Sequence, residues 1–591
     1  MDISMTMAPL GVRALPPRRA TSTQATRAIA SRVVKRHVRN VLTLVARQRE
    51  FKRWTSRRFA FLSGLIVLGI GCYQLSLPNV LSGVLGWNLG YDDGVYLGVA
   101  VRFVNGVLPY RDFVFVQPPG IVYVMSPIAL LGRVLGTHDA LIVARCLTVF
   151  VVACNAVLAG LLMRHRGRIA VVVAGLACAL WPLTVSVDRT LELEPYLIFF
   201  CLIGALLAFG SNESSSRRLV VAGIAFGFAG SVKVWAIFPI VAALLCLLPD
   251  WKKCKALFVG LVIGGVVPCL PFLLSAPNAF VRDVILAQLG RKAPWDAAAS
   301  TLGQRMLYLS GILGIQPFHA TVVLVSVMFA AFGVLIVFVV ARHWRMFTQV
   351  EWFALAASVT TVGATFETSN LYDHYAYFPA VFLALLLGVC ASRIGASFAV
   401  FLRRVHDGIR PPTRLATRLL AIVAFLGILS WTVAQEAAYG AAYLDEASNP
   451  AQAIDAVIPP GACAISDFPA DLLVANRFTP NKPGCPAIVD PYGMNLVYNN
   501  GKPPQPIPPY PPKFVALWLG DLEAASYVDL RIPYSDFFPW STSAMSWFSG
   551  NYFQVAEISF SFPKGMFDTI KVSYIYTNVR KLSLRTSTTN G

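Results

Sequence analysis

The stretch YDDGVYLGVAVRFVNGVLPYRDFVFVQPPG occupies residues 91–120 and follows the first apolar segment of the chain. It holds two adjacent carboxylates, Asp92 and Asp93, with no cation beside them, and a third, Asp112, next to Arg111. Ionisable side chains close to a membrane are costly and usually have a function. The carboxylate pair is therefore the first candidate site.

The composition indicates a membrane protein with several spans. The chain is 56% hydrophobic and 14% charged, with a mean hydropathy of +0.61, whereas soluble domains are about one quarter charged. The net charge of +20 would suit nucleic acid. The basic residues, however, gather in short tracts between apolar segments, as in cytoplasmic membrane loops. We therefore expect a multi-pass protein of the plasma (inner) membrane and no nucleic-acid partner.

Eleven apolar segments are predicted spans, since about 20 apolar residues cross a bilayer. They are 59–77, 140–163, 169–187, 193–209, 219–232, 234–248, 256–275, 318–341, 351–364, 375–401 and 419–434. With a cytoplasmic N-terminus, all five inner loops carry excess Lys and Arg, as the positive-inside rule requires. Crossings at 95–105 or 121–135 would reverse that pattern, so both are predicted helices in the outer interface.

The chain divides into three predicted parts. Residues 1–58 form a basic cytoplasmic tail, 59–434 a polytopic α-helical membrane domain, and 435–591 a small extracytoplasmic α+β domain. In the last part, the alternating stretches FVALWL (514–519) and YVDLRI (527–532) predict strands. Nine of the eleven cysteines precede residue 400. The other two, Cys463 and Cys485, lie in the external part, where an oxidising compartment favours a disulfide.

On this topology, ionisable residues collect at the outer surface. They are Asp92, Asp93, Arg102, Arg111, Asp112, Arg189, Glu192, Glu194, Lys233, Arg291, Lys292, Asp373 and His374. Some have ordinary explanations: Arg111 and Asp112 could form a local ion pair, and Lys233 could extend from a tight hairpin to the surface. No spacing of the CxxC or HExxH type indicates a metal site, and a divalent cation is left open as a cofactor.

These residues suit the transfer of a sugar from a polyprenyl phosphate. The leaving phosphate needs cations, and we expect Lys233, Arg291 and Arg189 to bind it. The acceptor hydroxyl needs a base, and a carboxylate pair near a low-dielectric boundary has one pKa raised. The expected base is Asp92, with Asp93 tuning its pKa or holding the acceptor. The residues expected to contact the acceptor or the sugar are Tyr96, Asp112, Glu192, Glu194, His374 and Tyr375.

The opening stretch resembles the first external loop of GT-C glycosyltransferases, nearest to the protein O-mannosyltransferases and the lipid A aminoarabinose transferases. The matching residues are Asp92, Asp93, Tyr96, Gly106, Pro109, Tyr110, Pro118 and Pro119. RTLELEP (189–195), SVK (231–233) and YDHYAYFP (372–379) match more weakly, the likeness covers residues 60–400, and the external part resembles that of actinobacterial members. The resemblance implies a GT-C-like fold with Asp92 as the catalytic carboxylate.

One departure concerns the second carboxylate of the family. The aminoarabinose transferases carry a Glu two residues before Pro-Pro, and many relatives carry an Asp three before it. This chain has Val116 and Phe115 there. A second carboxylate role would therefore fall to Asp112 or Asp93.

The expected function is that of an inverting glycosyltransferase. The sugar would be a hexose or a pentose, such as mannose or arabinose, and the acceptor a glycan, a glycolipid or a protein.

Two other functions compete with this interpretation. A transporter or flippase of lipid-linked sugars would show internal repeats and broken helices at mid-depth, and neither is evident. In a third interpretation the external part binds carbohydrate through aromatic side chains. Those aromatic residues are Trp518, Tyr527, Tyr534 and Trp540.

Overall fold

The computed structural model describes most of the chain after residue 56. The described residues are 57–69, 90–181, 190–211, 215–291, 302–310, 318–368, 371–405, 450–499, 509–530, 537–560 and 571–578. They belong to one compact unit, Ser56–Gly591. Residues 1–56 of the predicted tail and the predicted span 419–434 lie outside the described residues.

Helices make up the described chain up to residue 405. They are α1 (57–69), α2 (Tyr91–Val104), α3 (Gly120–Leu135), α4 (Thr137–Leu162), α5 (Arg168–Leu180), α6 (Glu194–Phe209), α7 (Ser216–Val232), α8 (Ile237–Leu247), α9 (Trp251–Ser275), α10 (Pro277–Phe280), α11 (Ala287–Leu289), α12 (Leu302–Ser310), α13 (Phe318–His343), α14 (Gln349–Glu367) and α15 (Tyr377–Val405). Short 3-10 turns at Val234–Ala236 and Asp373–Ala376 precede α8 and α15, and a π-helix at Val281–Leu286 joins α10 to α11.

Several of these helices have the character of membrane spans. Within the described ranges, four helical segments are long and apolar enough to cross a bilayer: Thr137–Arg166, Trp251–Ser275, Ala320–Met346 and His374–Gly395. Shorter apolar helices run over Gly120–Leu135, Arg168–Leu180, Glu194–Phe209 and Val234–Leu247. The protein is thus mostly helical with several apolar helices, whereas the count of eleven spans stays a prediction.

The two helices predicted in the first external loop are present as α2 and α3. Between them the chain turns at Tyr110, whose φ of 66° lies in the left-handed region, and the Tyr110 hydroxyl donates to the Gln117 carbonyl at 2.7 Å. Gly120 then starts α3 so close to α7 that a Cβ there would lie 2.6 Å from the Ser231 carbonyl oxygen. This contact brings the first loop against the end of α7, two residues before Lys233.

Glycines allow the close approach of α7 and α9. A Cβ added to Gly227 would lie 2.4 Å from the Leu261 carbonyl oxygen, and one added to Gly264 would lie 2.2 Å from that of Ile224. Small residues at such spacing let membrane helices pack backbone to backbone. The α7–α9 pair carries Lys233 at its end, so its packing supports the site.

We expect Gly227→Ala to destabilise the protein, because the new methyl group must push α7 and α9 apart. Overpacking of this kind costs about 1–3 kcal/mol. The matched control is Gly230→Ala on the same helix, where a Cβ would meet nothing within 4 Å. Thermal unfolding in detergent should show a lower midpoint for Gly227→Ala and no loss for Gly230→Ala. Equal midpoints would show that the helix contact is not tight.

The C-terminal part, which is predicted to be external, contains the predicted small sheet. Its strands follow the order β1-β2-β4-β3, where β1 (Ala464–Ser466) runs parallel to β2 (Tyr527–Leu530), and β4 (Lys571–Asn578) runs antiparallel to β2 and to β3 (Tyr552–Phe560). The described helices here are α16 (Pro450–Val457), α17 (Pro469–Val474), α18 (Pro491–Tyr498), α19 (Pro512–Ala524) and α20 (Thr542–Asn551). Cys463 and Cys485 are joined by a disulfide. The boundary at residue 435 stays a prediction.

Two expectations for the external part are corrected. FVALWL lies in α19 rather than in a strand: Phe514, Trp518 and Leu522, each fully buried, recur every four residues and form one helical face. Trp518, Tyr527 and Trp540 are also buried, so they belong to the core and do not offer a carbohydrate-binding surface. Tyr534 lies outside the described residues.

The C-terminal part packs directly on α2. A Cβ on Gly94 would lie 2.3 Å from the Ala470 backbone nitrogen of α17. Arg102 donates to the carbonyl oxygens of Pro480 at 3.4 Å and Pro486 at 3.3 Å. The helix that carries Asp92 is therefore held between the other helices of the N-terminal part and the C-terminal part.

Candidate active site

Asp92 and Asp93 both lie in the first turn of α2. Successive residues of an α-helix point about 100° apart, and the two carboxylates have different surroundings. The Asp92 side chain is 27% exposed, whereas the Asp93 side chain is fully buried. Only Asp92 can therefore meet a ligand from outside.

Both carboxylate oxygens of Asp93 contact partners inside the protein. Its Oδ2 lies 2.5 Å from Nη2 of Arg145 on α4, and its Oδ1 accepts the backbone N–H of Leu191. The structure thus places Asp93 inside the protein, away from the exposed side of Asp92, and its predicted part in catalysis is untested. Its visible function is to fix the segment before α6 against α2 and α4.

Asp92 lies in a cluster with Glu192 and His374. His374 Nε2 is 3.9 Å from Asp92 Oδ2 and 3.8 Å from Glu192 Oε2. No described residue donates a hydrogen bond to the buried Oε2 of Glu192. Burial raises the pKa of the Glu192 carboxyl well above its usual value, and the nearby Asp92 carboxylate raises it further. The predicted residues from three separate segments thus meet at one point.

The same three side chains fit a divalent cation. One ligand atom from each lies within 4.8 Å of the other two. Carboxylate oxygens and an imidazole nitrogen suit Mn²⁺ or Zn²⁺, and the buried Glu192 oxygen without a hydrogen-bond donor would gain a partner. Motif spacing missed this arrangement because its members come from α2, the segment before α6 and the turn before α15.

Lys233 is paired with a carboxylate. Its ammonium forms a salt bridge with Glu194 and lies 4.4 Å from the ring centre of Trp235 and 4.2 Å from that of Tyr375. Only 5% of Lys233 is exposed. Its charge is balanced by Glu194 and its head is enclosed, and a direct contact of Lys233 with the donor stays a prediction. Glu194 is the buried partner in this pair, and its predicted contact with the acceptor or the sugar is untested.

The environment of Arg291 differs from that of Lys233. Its Nη1 donates to the Tyr375 hydroxyl at 3.5 Å and its Nη2 to that of Tyr492 at 3.0 Å. The guanidinium lies 5.9 Å from the ring centre of Tyr372. Among the described residues no carboxylate pairs with it, and its Nε is buried without a hydrogen-bond partner. The positive charge and an open donor remain available for an anion.

The carboxylate cluster and Arg291 are connected through two consecutive residues. The rings of His374 and Tyr375 lie 4.6 Å apart; His374 faces Asp92, and the Tyr375 hydroxyl meets Arg291. Tyr96 lies four residues after Asp92 on α2 and therefore on the same face. Burial first, and then the Asp92 carboxylate, raises the pKa of the Tyr96 hydroxyl. Asp92 and Arg291 thus belong to one candidate site.

The remaining predicted residues have other positions. Asp112 forms two hydrogen bonds with Arg111, at 2.8 and 2.9 Å, and accepts the N–H of Leu108, so it stabilises the turn and is not brought into the cluster. Arg189 and Lys292 lie outside the described residues. The sequence did not predict four residues that contact the site: Arg145, Trp235, Tyr372 and Tyr492. Of these, only Tyr372 lies in a motif, the YDHYAYFP segment.

Comparisons with known proteins gave structural likeness only. No protein-family model matches the sequence, and no curated protein matches it. ArnT from Cupriavidus metallidurans bound to undecaprenyl phosphate is similar with a TM-score of 0.48 and 14% identity, over 87% of this chain and 97% of that one. The archaeal oligosaccharyltransferase AglB from Archaeoglobus fulgidus, in complex with an inhibitory peptide and a dolichol-phosphate, is similar with a TM-score of 0.46 and 13% identity, over 88% and 75%.

The proposal that follows rests on this chain's own residues.

Proposed function

We propose that the protein is an inverting glycosyltransferase of the plasma membrane that moves a sugar from a polyprenyl phosphate to an acceptor hydroxyl at the outer face. The observation that carries the proposal is the joint site of a partly exposed carboxylate, Asp92, and a cation, Arg291, that pairs with no carboxylate among the described residues. His374 and Tyr375 connect the two. Sugar transfer from a phosphate needs both: a base for the acceptor proton and a cation for the leaving group.

The reaction follows from these two groups. Asp92 takes the proton of the acceptor hydroxyl as the acceptor oxygen bonds to C1 of the sugar. The bond between C1 and the phosphate oxygen breaks on the opposite side, which inverts C1. The phosphate leaves with an added negative charge, which Arg291 stabilises through charge-assisted hydrogen bonds. A phosphate is a weak base, so no general acid is required.

A divalent cation would be held by Asp92, Glu192 and His374. When bound, it would supply Lewis-acid stabilisation of phosphate oxygens. These three side chains also orient one another, since Glu192 and Asp92 both face the imidazole of His374.

We expect the purified protein to bind Mn²⁺ at this cluster. Glu192→Gln should weaken binding about tenfold or more, since even the partners behind metal ligands contribute about 10–100-fold. Titration followed by electron paramagnetic resonance measures the affinity without any need for turnover. Asp112→Asn removes a carboxylate outside the cluster and should leave Mn²⁺ affinity unchanged. Equal affinities in the wild type and Glu192→Gln would place the ion elsewhere.

The proposed function is tested by incubating membranes that contain the protein with a panel of polyprenyl-phosphate mannose and arabinose donors. Transfer to endogenous glycan, glycolipid or protein, absent from membranes with the Asp92→Asn variant, is the expected result. A flippase would instead move the lipid-linked sugar across vesicles without consuming it. Movement without transfer for every donor would overturn the proposal.

A further inference from the structure

Tyr492 of the external part holds the cation of the candidate active site. Arg291 Nη2 donates to the Tyr492 hydroxyl at 3.0 Å, and the guanidinium lies 5.3 Å from the Tyr492 ring centre. Tyr492 lies in the first turn of α18, a helix that no sequence motif singled out. One support of Arg291 therefore comes from outside the membrane helices.

The same helix is fixed to α2 beside Asp92. The Tyr91 hydroxyl donates to Asp490 Oδ1 at 2.9 Å and accepts the Tyr492 N–H at 2.8 Å. Asp490 also caps α18, since its Oδ1 accepts the Gly493 N–H at 2.8 Å. A short series of hydrogen bonds thus connects the residue next to Asp92 with Arg291.

We propose that Tyr492 is a positioning residue for the donor phosphate, so that the external part completes the donor site. This inference rests on the proposed function. The guanidinium is planar with five N–H donors, and the hydroxyls of Tyr375 and Tyr492 each accept from one terminal nitrogen. Two such contacts fix the plane of the group, which lowers the entropy lost when an anion binds.

The open donor of Arg291, beside its unpaired charge among the described residues, suits an anionic ligand. Its Nε is buried and has no hydrogen-bond partner among the described residues, and buried N–H groups are nearly always satisfied. A phosphate oxygen suits it, because guanidinium groups bind phosphate through parallel N–H donors. The ligand class is therefore the phosphate head of a lipid carrier, held between α18 and the turn before α15.

Binding of undecaprenyl phosphate to the full-length protein in detergent tests the inference, with undecaprenol as the probe that lacks the phosphate. Tyr492→Phe keeps the ring and removes the hydroxyl. We expect it to weaken undecaprenyl phosphate binding roughly tenfold, the scale of one hydrogen bond to a charged group. In the Arg291→Lys background, Tyr492→Phe should have little further effect, because the two residues act as a unit.

The matched control is Tyr552→Phe in the same external part. The Tyr552 hydroxyl donates to the carbonyls of Leu522 and Ala525 and does not support Arg291. Tyr552→Phe should lower the unfolding temperature and leave the affinity for undecaprenyl phosphate unchanged. Tyr492→Phe should lower that affinity and leave the unfolding temperature unchanged.

Two outcomes would overturn the inference in distinguishable ways. If Tyr492→Phe binds undecaprenyl phosphate like the wild type while Arg291→Ala does not, Tyr492 has no positioning role and the proposed function stands. If the wild type binds undecaprenyl phosphate and undecaprenol with equal affinity, both the proposed function and this inference are wrong.

Discussion

Asp92→Asn is expected to lower the rate of sugar transfer about a thousandfold, within the range of roughly 10²–10⁴ that a general base contributes. The substitution keeps the size of the side chain and removes its ability to accept the acceptor's proton. Donor binding should stay near the wild-type level, because only a contribution to the transition state is lost. Transfer under saturating donor and acceptor measures the first effect, and undecaprenyl phosphate binding measures the second.

Asp112→Asn is the matched control, since it removes a carboxylate from the same external loop. Asp112 is paired with Arg111 in the turn, so transfer by this variant should be close to normal. Saturating Mn²⁺ separates two functions of Asp92: if it restores transfer in Asp92→Asn, the residue only holds a cation. Near wild-type transfer without added metal would move the base to Glu192.

Arg291→Ala is expected to lower turnover about a hundredfold or more, on the scale of losing one transition-state hydrogen-bond donor. The leaving phosphate gains charge as its bond to C1 breaks, and no carboxylate of the described chain neutralises Arg291. The steady-state kcat with a polyprenyl-phosphate sugar is the measurement. Arg291→Lys should recover part of the rate, because it keeps the charge and loses the planar fork.

Arg111→Ala serves as the control for a lost surface cation. The Arg111 side chain is 49% exposed and pairs with Asp112, so its removal should change turnover little. Wild-type turnover in Arg291→Ala, with an unchanged unfolding temperature, would exclude Arg291 from phosphate binding. The phosphate contact would then have to be sought among cations outside the described residues, such as Arg189.

Local patterns in the sequence were sufficient for the broad architecture. Apolar runs predicted the helices, and α2 and α3 are found where helices at 95–105 and 121–135 were expected. That these two helices do not cross the membrane stays a prediction. A pattern can still be assigned the wrong period: FVALWL alternates over six residues, but Phe514, Trp518 and Leu522 show the fourfold spacing of a helix. Short windows do not distinguish the two periods.

The sequence by itself indicated a helical membrane protein, the carboxylate-bearing start of α2, and most of the ionisable residues from which the candidate site is built. Only the tertiary structure decided how those residues pair. Asp93 binds Arg145 across 52 residues, Lys233 binds Glu194 across 39, and Arg291 binds Tyr492 across 201. A charge that is buried must find a partner, and which partner it finds depends on how distant helices pack. Asp92 and Arg291 stand out as the candidate catalytic groups because Arg145 and Glu194 engage Asp93 and Lys233.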